Sequence, residues 1–71
     1  MSHLIVIADT LQDILDHELV IDVTFYRTEN VYHGKAYTVG GVTVESESHA
    51  LNVMLLELHK KIDDLFNAER N

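Results

Sequence analysis

Five histidines and twelve acidic residues are the side chains of this 71-residue chain that could bind a metal ion or transfer protons. Two ligands on one helix face normally have an i, i+4 spacing, and no pair of these histidines has it. The histidines are instead scattered along the chain, at His3, His17, His33, His49 and His59. The spacing predicts no metal site, and no other feature of the chain indicates a cofactor.

Glu45, Glu47 and His49 occupy every second position, as metal ligands on one face of a strand would. Ser46 and Ser48 lie between them and indicate a strand-to-helix junction, because serine side chains cap helices. Acidic residues are favoured at such a junction by the positive end of the helix dipole. The pattern therefore favours a structural role over a ligand set.

Motifs for nucleophilic or acid–base catalysis are also missing from the sequence. The chain has no cysteine, no G-x-S-x-G motif and no glycine-rich loop that would bind a phosphate. Asp63 and Asp64 are neighbours in a predicted helix, where adjacent side chains point about 100° apart, so they do not form a catalytic dyad. We therefore expect no catalytic residue and no enzymatic activity.

Two groups of apolar and aromatic residues are predicted to form interfaces. Val53 and Leu56 lie about one turn apart on the polar face of the C-terminal helix, where a second copy or another protein would cover them. Tyr26, His33 and Tyr37 share one face of a predicted sheet, and exposed aromatic side chains are enriched at interface hot spots. The alternative for the sheet face is that the N-terminal segment packs over it.

The formal net charge of −7 restricts the class of partner. Direct binding to nucleic acid or to an anionic membrane needs a basic surface, whereas a basic protein would be attracted. Glu57, Asp63 and Asp64 are the candidates for an acidic face on the C-terminal helix. Small acidic inhibitors of nucleic-acid enzymes, often phage-encoded, share this composition. We therefore expect a non-enzymatic inhibitor or modulator of a basic, nucleic-acid-handling protein, which acts as a nucleic-acid mimic.

A single domain over residues 1–71 is expected from the length of the chain. A core this small is marginal by itself, and disulfides are excluded because the chain has no cysteine. We therefore expect a homo-oligomer, most simply a dimer, and an assembly subunit is the alternative function. The apolar run at residues 4–8 is too short to span a membrane and lacks the basic flank of a signal peptide, so a cytoplasmic location is expected.

The N-terminal segment has two interpretations. Consecutive β-branched residues at positions 5–7 favour a strand over residues 3–8, whereas Leu4, Ala8, Leu11 and Leu15 fall on one helical stripe. From Asp9, a candidate N-cap, the sequence predicts a helix that ends near residue 17. The chain therefore begins with a helix, or with a short strand followed by a helix.

Three strands are predicted next, over residues 19–27, 31–39 and 42–45. In the first strand Leu19, Ile21, Val23 and Phe25 face one way, and the residues between them, from Val20 to Tyr26, face the other. A turn with Asn30 in the left-handed conformation and a two-residue turn at Gly40–Gly41 join the strands. In the second strand the inner face, which includes Gly34 and Ala36, is small enough for a helix to lie close.

The last third of the chain, residues 46–71, predicts one long amphipathic helix capped by Ser46 or Ser48. Its core stripe consists of Leu51, Met54, Leu55, Leu58, Ile62, Leu65 and Phe66. The complete prediction is a small α+β domain. A three-stranded antiparallel meander follows the N-terminal helix, and the C-terminal helix packs on one face of that sheet.

The segment Gly41–Leu51, a hairpin strand that leads into a helix, looks like the strand-to-helix step of antitoxins that pair with small mRNA-cleaving toxins. The pattern is common to ββα units, and the chain has no DNA-binding segment, so membership of that family does not follow.

Overall fold

A computed structural model of the protein describes the backbone of residues 3–70 and the side chains of residues 7–68. Two helices flank three strands in the order α1, β1, β2, β3, α2. Their bounds are α1 His3–Leu15, β1 Val20–Thr28, β2 Val31–Thr38, β3 Thr43–Ser48 and α2 Leu51–Arg70. The strands form one antiparallel sheet in the order β1-β2-β3, and α2 packs on it. The predicted α+β architecture is confirmed.

Helix α1 includes residues 3–8, so the helical interpretation of the N-terminal segment is correct. Ile14 is fully buried, and Ile7 and Leu11 pack against the same core cluster. These residues recur at helical spacing, and their burial outweighs the strand preference of the β-branched residues around them. Asp9 is therefore an interior residue of α1, and its prediction as an N-cap is wrong.

A β-bulge near the start of β1 changes the faces of its first residues. Val20 pairs with Thr38 and Asp22 with Tyr37, so Ile21 is the extra residue between them. Val20 therefore packs against the core, while Ile21 is 65% exposed, which is the reverse of the predicted alternation. From Val23 onward the pairing restores the predicted faces.

Both hairpin turns differ from the prediction in detail. In the first turn Glu29, not Asn30, has a positive φ of 53°. In the second turn the Thr38 N–H donates to the Val42 carbonyl and the Gly41 N–H donates to the Thr38 carbonyl. The loop therefore contains three residues rather than two, with Gly41 left-handed at φ 87°, as three-residue hairpin loops require.

Helix α2 begins at Leu51, five residues after the predicted start, because β3 continues through Ser48. The Ser48 hydroxyl accepts a hydrogen bond from the Ala50 N–H at 3.2 Å, next to the start of the helix. Ser46 is instead a buried strand residue whose hydroxyl donates to the Met54 carbonyl at 3.0 Å. Ser46 therefore links β3 to α2 through this hydrogen bond, and its prediction as a helix cap is wrong.

The core lies between the sheet and both helices. Its fully buried members are Ile14, Ala36, Val44, Met54, Leu55, Leu58 and Ile62. Gly34 permits the close approach of α2, because a Cβ atom there would lie 2.6 Å from the Met54 Sδ and 3.0 Å from Leu58. The predicted core stripe of α2 and the small inner face of β2 are thus confirmed.

Candidate interaction surfaces

Three aspartates form an acidic row along α1, which we call the α1 ridge: Asp9, Asp13 and Asp16. Asp16 follows the last helical residue and keeps helical geometry, since its N–H donates to the Gln12 carbonyl at 2.9 Å. All three side chains are exposed. At 100° per residue they project within about 60° of one another, on the side opposite the buried stripe of α1. The ridge therefore faces solvent.

The position of the α1 ridge is electrostatically unfavourable, because its negative charges lie near the negative end of the helix dipole. Asp13 is in the last turn of α1 and Asp16 follows it, where the helix dipole already presents a partial negative charge. The last turn has no basic residue. Asp16 accepts a hydrogen bond from Gln12 Nε2 at 3.0 Å, and no described lysine or arginine forms an ion pair with any ridge aspartate. The ridge is thus a source of uncompensated negative charge.

The three residues of the predicted acidic face of α2 differ in the contacts that their carboxylates make. The Asp63 carboxylate contacts two histidine rings. His17 Nε2 lies 3.1 Å from its Oδ1, and His59 Nδ1 lies 3.5 Å from its Oδ2. Asp64 pairs with Lys60 at 3.2 Å, the one ion pair between a carboxylate and a lysine or arginine among the side chains of residues 7–68. Glu57 is exposed, and its Oε1 lies 3.5 Å from the Ser46 hydroxyl. Of the three, only Glu57 forms no ion pair or hydrogen bond with a described histidine, lysine or arginine side chain.

His17 connects the segment after α1 to α2. Its Nδ1 accepts a hydrogen bond from the Leu19 N–H at 3.2 Å, so the ring proton is on Nε2, which donates to Asp63 Oδ1. The ring also meets Phe66 edge-on, with centroids 5.4 Å apart. Sequence reasoning missed this contact because it joins residues 46 positions apart.

The sheet face opposite the helices is not covered by any described part of the chain. Helix α1 packs against α2 and the shared core, so it does not lie over Tyr26, His33 and Tyr37. Tyr26 and His33 stack with parallel rings 4.5 Å apart, and Tyr26 is 47% exposed. His33 also contacts Thr28 Oγ1 at 2.7 Å and Glu47 at 3.4 Å.

Tyr37 lies at the other end of this face, where it pairs with Asp22 and Thr43 in the neighbouring strands. The structure brings Tyr26 and His33 together but leaves Tyr37 apart from them, with Lys35 between His33 and Tyr37 on the same strand face. The three residues therefore share a face without forming a single cluster.

Val53 and Leu56 are 38% and 49% exposed on the solvent side of α2. Exposed Glu57 and Lys60 are near them on the helix surface. Within the described residues no side chain covers this pair, and it is placed where the helical periodicity predicted it.

An open cavity of about 280 Å³ lies beside β3. Its lining residues are His33, Glu45, Ser46, Glu47, Glu57 and Lys61. Lys61 Nζ donates to the Glu45 carbonyl at 2.7 Å, while His49 bonds to the Asn30 carbonyl at 3.1 Å. Glu45 and Glu47 thus share the cavity, whereas His49 is not among its lining residues. Among the side chains of residues 7–68 the structure has no group of three or more arranged to hold a metal ion.

In the part of the chain that the structure describes, neither helix has the length and apolarity needed to cross a membrane. No protein-family model matches the sequence, and comparisons with curated proteins and with solved structures find no significant relative.

Proposed function

We propose that this chain is a non-enzymatic binding protein that recognises a basic protein through the α1 ridge. The observation that supports the proposal is the position of Asp13 and Asp16 at the negative end of α1, exposed and without an ion pair to any described lysine or arginine. Each such charge costs stability, about 0.3–1 kcal/mol. A partner's lysine or arginine side chains would supply the compensating charge.

The proposed mechanism is competition with nucleic acid. Asp9, Asp13 and Asp16 repeat along one helix with axial spacings of about 6 and 4.5 Å, so they present a row of carboxylates rather than a single point charge. Such a row would occupy a basic groove that otherwise binds phosphates, and long-range attraction would increase the association rate. The chain would thereby inhibit or modulate a protein that handles nucleic acid.

The test starts with tagged full-length protein and lysate of its source cell or host, at low and high salt. A recovered basic protein is purified, and its affinity for nucleic acid is measured with and without the chain. The ridge variant carries Asp9→Asn, Asp13→Asn and Asp16→Asn. A control removes the same number of charges elsewhere, by Asp22→Asn, Glu29→Gln and Asp64→Asn.

We expect the ridge variant to inhibit about tenfold or more weakly than the natural chain, and the control to stay within about threefold. Complex formation should also weaken steeply with salt, because it depends on exposed charges. A complex that is unchanged by salt, or a ridge variant that inhibits as well as the natural chain, would contradict the mechanism.

An assembly role is the second candidate, and exposed Val53 and Leu56 favour it. Two aliphatic side chains about one turn apart on a polar helix face would be covered in an oligomer. Val53→Asp and Leu56→Asp should then each reduce the mass measured in solution to that of one chain. If both variants keep the mass of the natural protein, this helix face is not the interface.

A further inference from the structure

The two edges of the sheet differ in how they are protected. At the β3 edge, Lys61 from α2 donates to the Glu45 carbonyl at 2.7 Å, and the short strand carries charged Glu45 and Glu47. Short length, charged side chains and coverage by another element are the usual means by which natural sheets block an edge. The β3 edge is therefore closed to another strand.

The β1 edge is less protected than the β3 edge. A bulge at Ile21 and a hydrogen bond from the Val23 N–H to the Asp22 carboxylate at 3.0 Å protect its start, but the stretch from Thr24 to Thr28 is regular and carries one charged residue, Arg27. Strand β1 spans Val20–Thr28, is the longest of the sheet, and has no further strand beyond it among residues 3–70. Alternate residues of an edge strand direct both backbone groups away from the sheet. Because Thr28 pairs with Val31 across a two-residue turn, the outward residues are Val23, Phe25 and Arg27.

Strand β1 also carries exposed apolar and aromatic side chains, which are typical of an interface. Ile21 is 65% exposed, Tyr26 47% and Phe25 38%. The strand contains one acid, Asp22, and one base, Arg27, so it is neutral in a chain of net charge −7. A second copy of the chain would therefore meet little repulsion along this strand.

We propose that two copies pair antiparallel through their β1 edges, around a two-fold axis at Phe25, to form a continuous six-stranded sheet. In this register Phe25 faces Phe25 of the second copy, Thr24 faces Tyr26, and Val23 faces Arg27. The outward N–H and C=O groups pair across the axis by symmetry, and the Val23 N–H exchanges its bond to the Asp22 carboxylate for one to the Arg27 carbonyl of the second copy. Aromatic pairs at the axis add stabilisation, and no two like charges are opposed.

This interface is separate from the α1 ridge and does not depend on the proposed binding function. It is also separate from the helix face that carries Val53 and Leu56. Thr24→Glu therefore tests the strand interface, whereas Val53→Asp and Leu56→Asp test the helix interface. A chain that is dimeric through β1 would present two ridges to a partner, whereas a monomeric variant would keep one ridge intact.

The experiment measures the mass of the full chain in solution by analytical ultracentrifugation, from micromolar to about 1 mM concentration. Thr24→Glu places added negative charges close to the axis on an exposed position. Thr43→Glu is the matched control, since Thr43 is equally an exposed threonine on the same sheet face but belongs to β3. Circular dichroism establishes that both variants are folded.

We expect a concentration-dependent dimer whose dissociation constant rises about tenfold or more in Thr24→Glu and changes less than about twofold in Thr43→Glu. Hydrogen exchange on the natural chain provides a test without a variant, because the Phe25 and Arg27 amides should slow as the dimer forms. A single-chain mass at about 1 mM, unchanged exchange at these amides, or a dimer lost in Val53→Asp but kept in Thr24→Glu would overturn the proposal.

Discussion

At the residue scale, Asp63 shows how a surface carboxylate becomes structural. It lies on the polar side of α2 by helical periodicity, yet His17 and His59 both contact it, and His17 is held in one tautomer by the Leu19 N–H. The carboxylate therefore helps to join the segment after α1 to α2. We therefore expect it to contribute more to stability than an exposed surface ion pair does.

Asp63→Asn should lower the free energy of unfolding by about 1 kcal/mol, because a hydrogen bond to a charged acceptor becomes a neutral one at a partly exposed site. Chemical denaturation followed by circular dichroism measures the change. Asp64→Asn is the control, since its exposed pair with Lys60 should contribute less than about 0.5 kcal/mol. If the two substitutions lowered the free energy of unfolding equally, Asp63 would contribute no more to stability than an ordinary exposed carboxylate.

At the scale of secondary-structure elements, α1 combines two opposed sides. Ile7, Leu11 and Ile14 pack into the core, and Asp9, Asp13 and Asp16 form the ridge on the other side. The apolar side explains why the segment is a helix. The acidic side lies near the C-terminus of α1, where the helix dipole disfavours negative charge, which is why we propose that it binds a partner.

Asp13→Asn should raise the free energy of unfolding by about 0.3–1 kcal/mol, because it removes a negative charge from the last turn of α1. Thermal or urea denaturation at low ionic strength gives the value. Asp9→Asn serves as the control in the same ridge, since the influence of the helix terminus fades within one turn and its effect should be close to zero. A destabilised Asp13→Asn protein would show that this carboxylate has a structural partner.

At the scale of the whole molecule, the net charge of −7 is distributed over exposed side chains that have few cationic neighbours. Self-repulsion of this kind opposes the compact state and is weakened by salt. The same charge keeps copies apart except at a neutral surface, and it attracts basic proteins over long distances. Charge and fold therefore act together on both proposed interactions.

Raising the salt concentration from about 20 to 200 mM should increase the free energy of unfolding of the natural chain, because salt screens like charges more than it weakens the few ion pairs. Urea denaturation at fixed protein concentration measures the trend. The triple asparagine variant of the α1 ridge should show a smaller increase. Stability that falls with salt would mean that ion pairs dominate the surface electrostatics.

The prediction of the fold from sequence succeeded where local patterns and burial agree. The stripe from Leu51 to Phe66, the small inner face of β2 and the glycine-containing hairpin were all readable from spacing. The exact start of α2 was not, because Ser46 and Ser48 suit both a strand end and a helix cap. Only the hydrogen bond from buried Ser46 to Met54 decides between them.

The candidate surfaces were predictable only in part. Periodicity placed Val53 and Leu56 on the solvent side of α2, and strand alternation placed Tyr26, His33 and Tyr37 on one face. The contact between Asp63 and His17 was not predictable, since the two residues are 46 positions apart in the sequence. The difference between the two sheet edges also required the position of Lys61 over β3.

The sequence by itself determined the number and type of the later elements, the composition of the core stripe and the acidic charge. These depend on local periodicity and on residue type alone. The tertiary structure decided that residues 3–8 are helical, that Ile21 is the extra residue of a bulge and that β1 is the longer of the two edge strands. Each of these depends on which distant residues compete for burial and for backbone hydrogen bonds, and no local pattern contains that information.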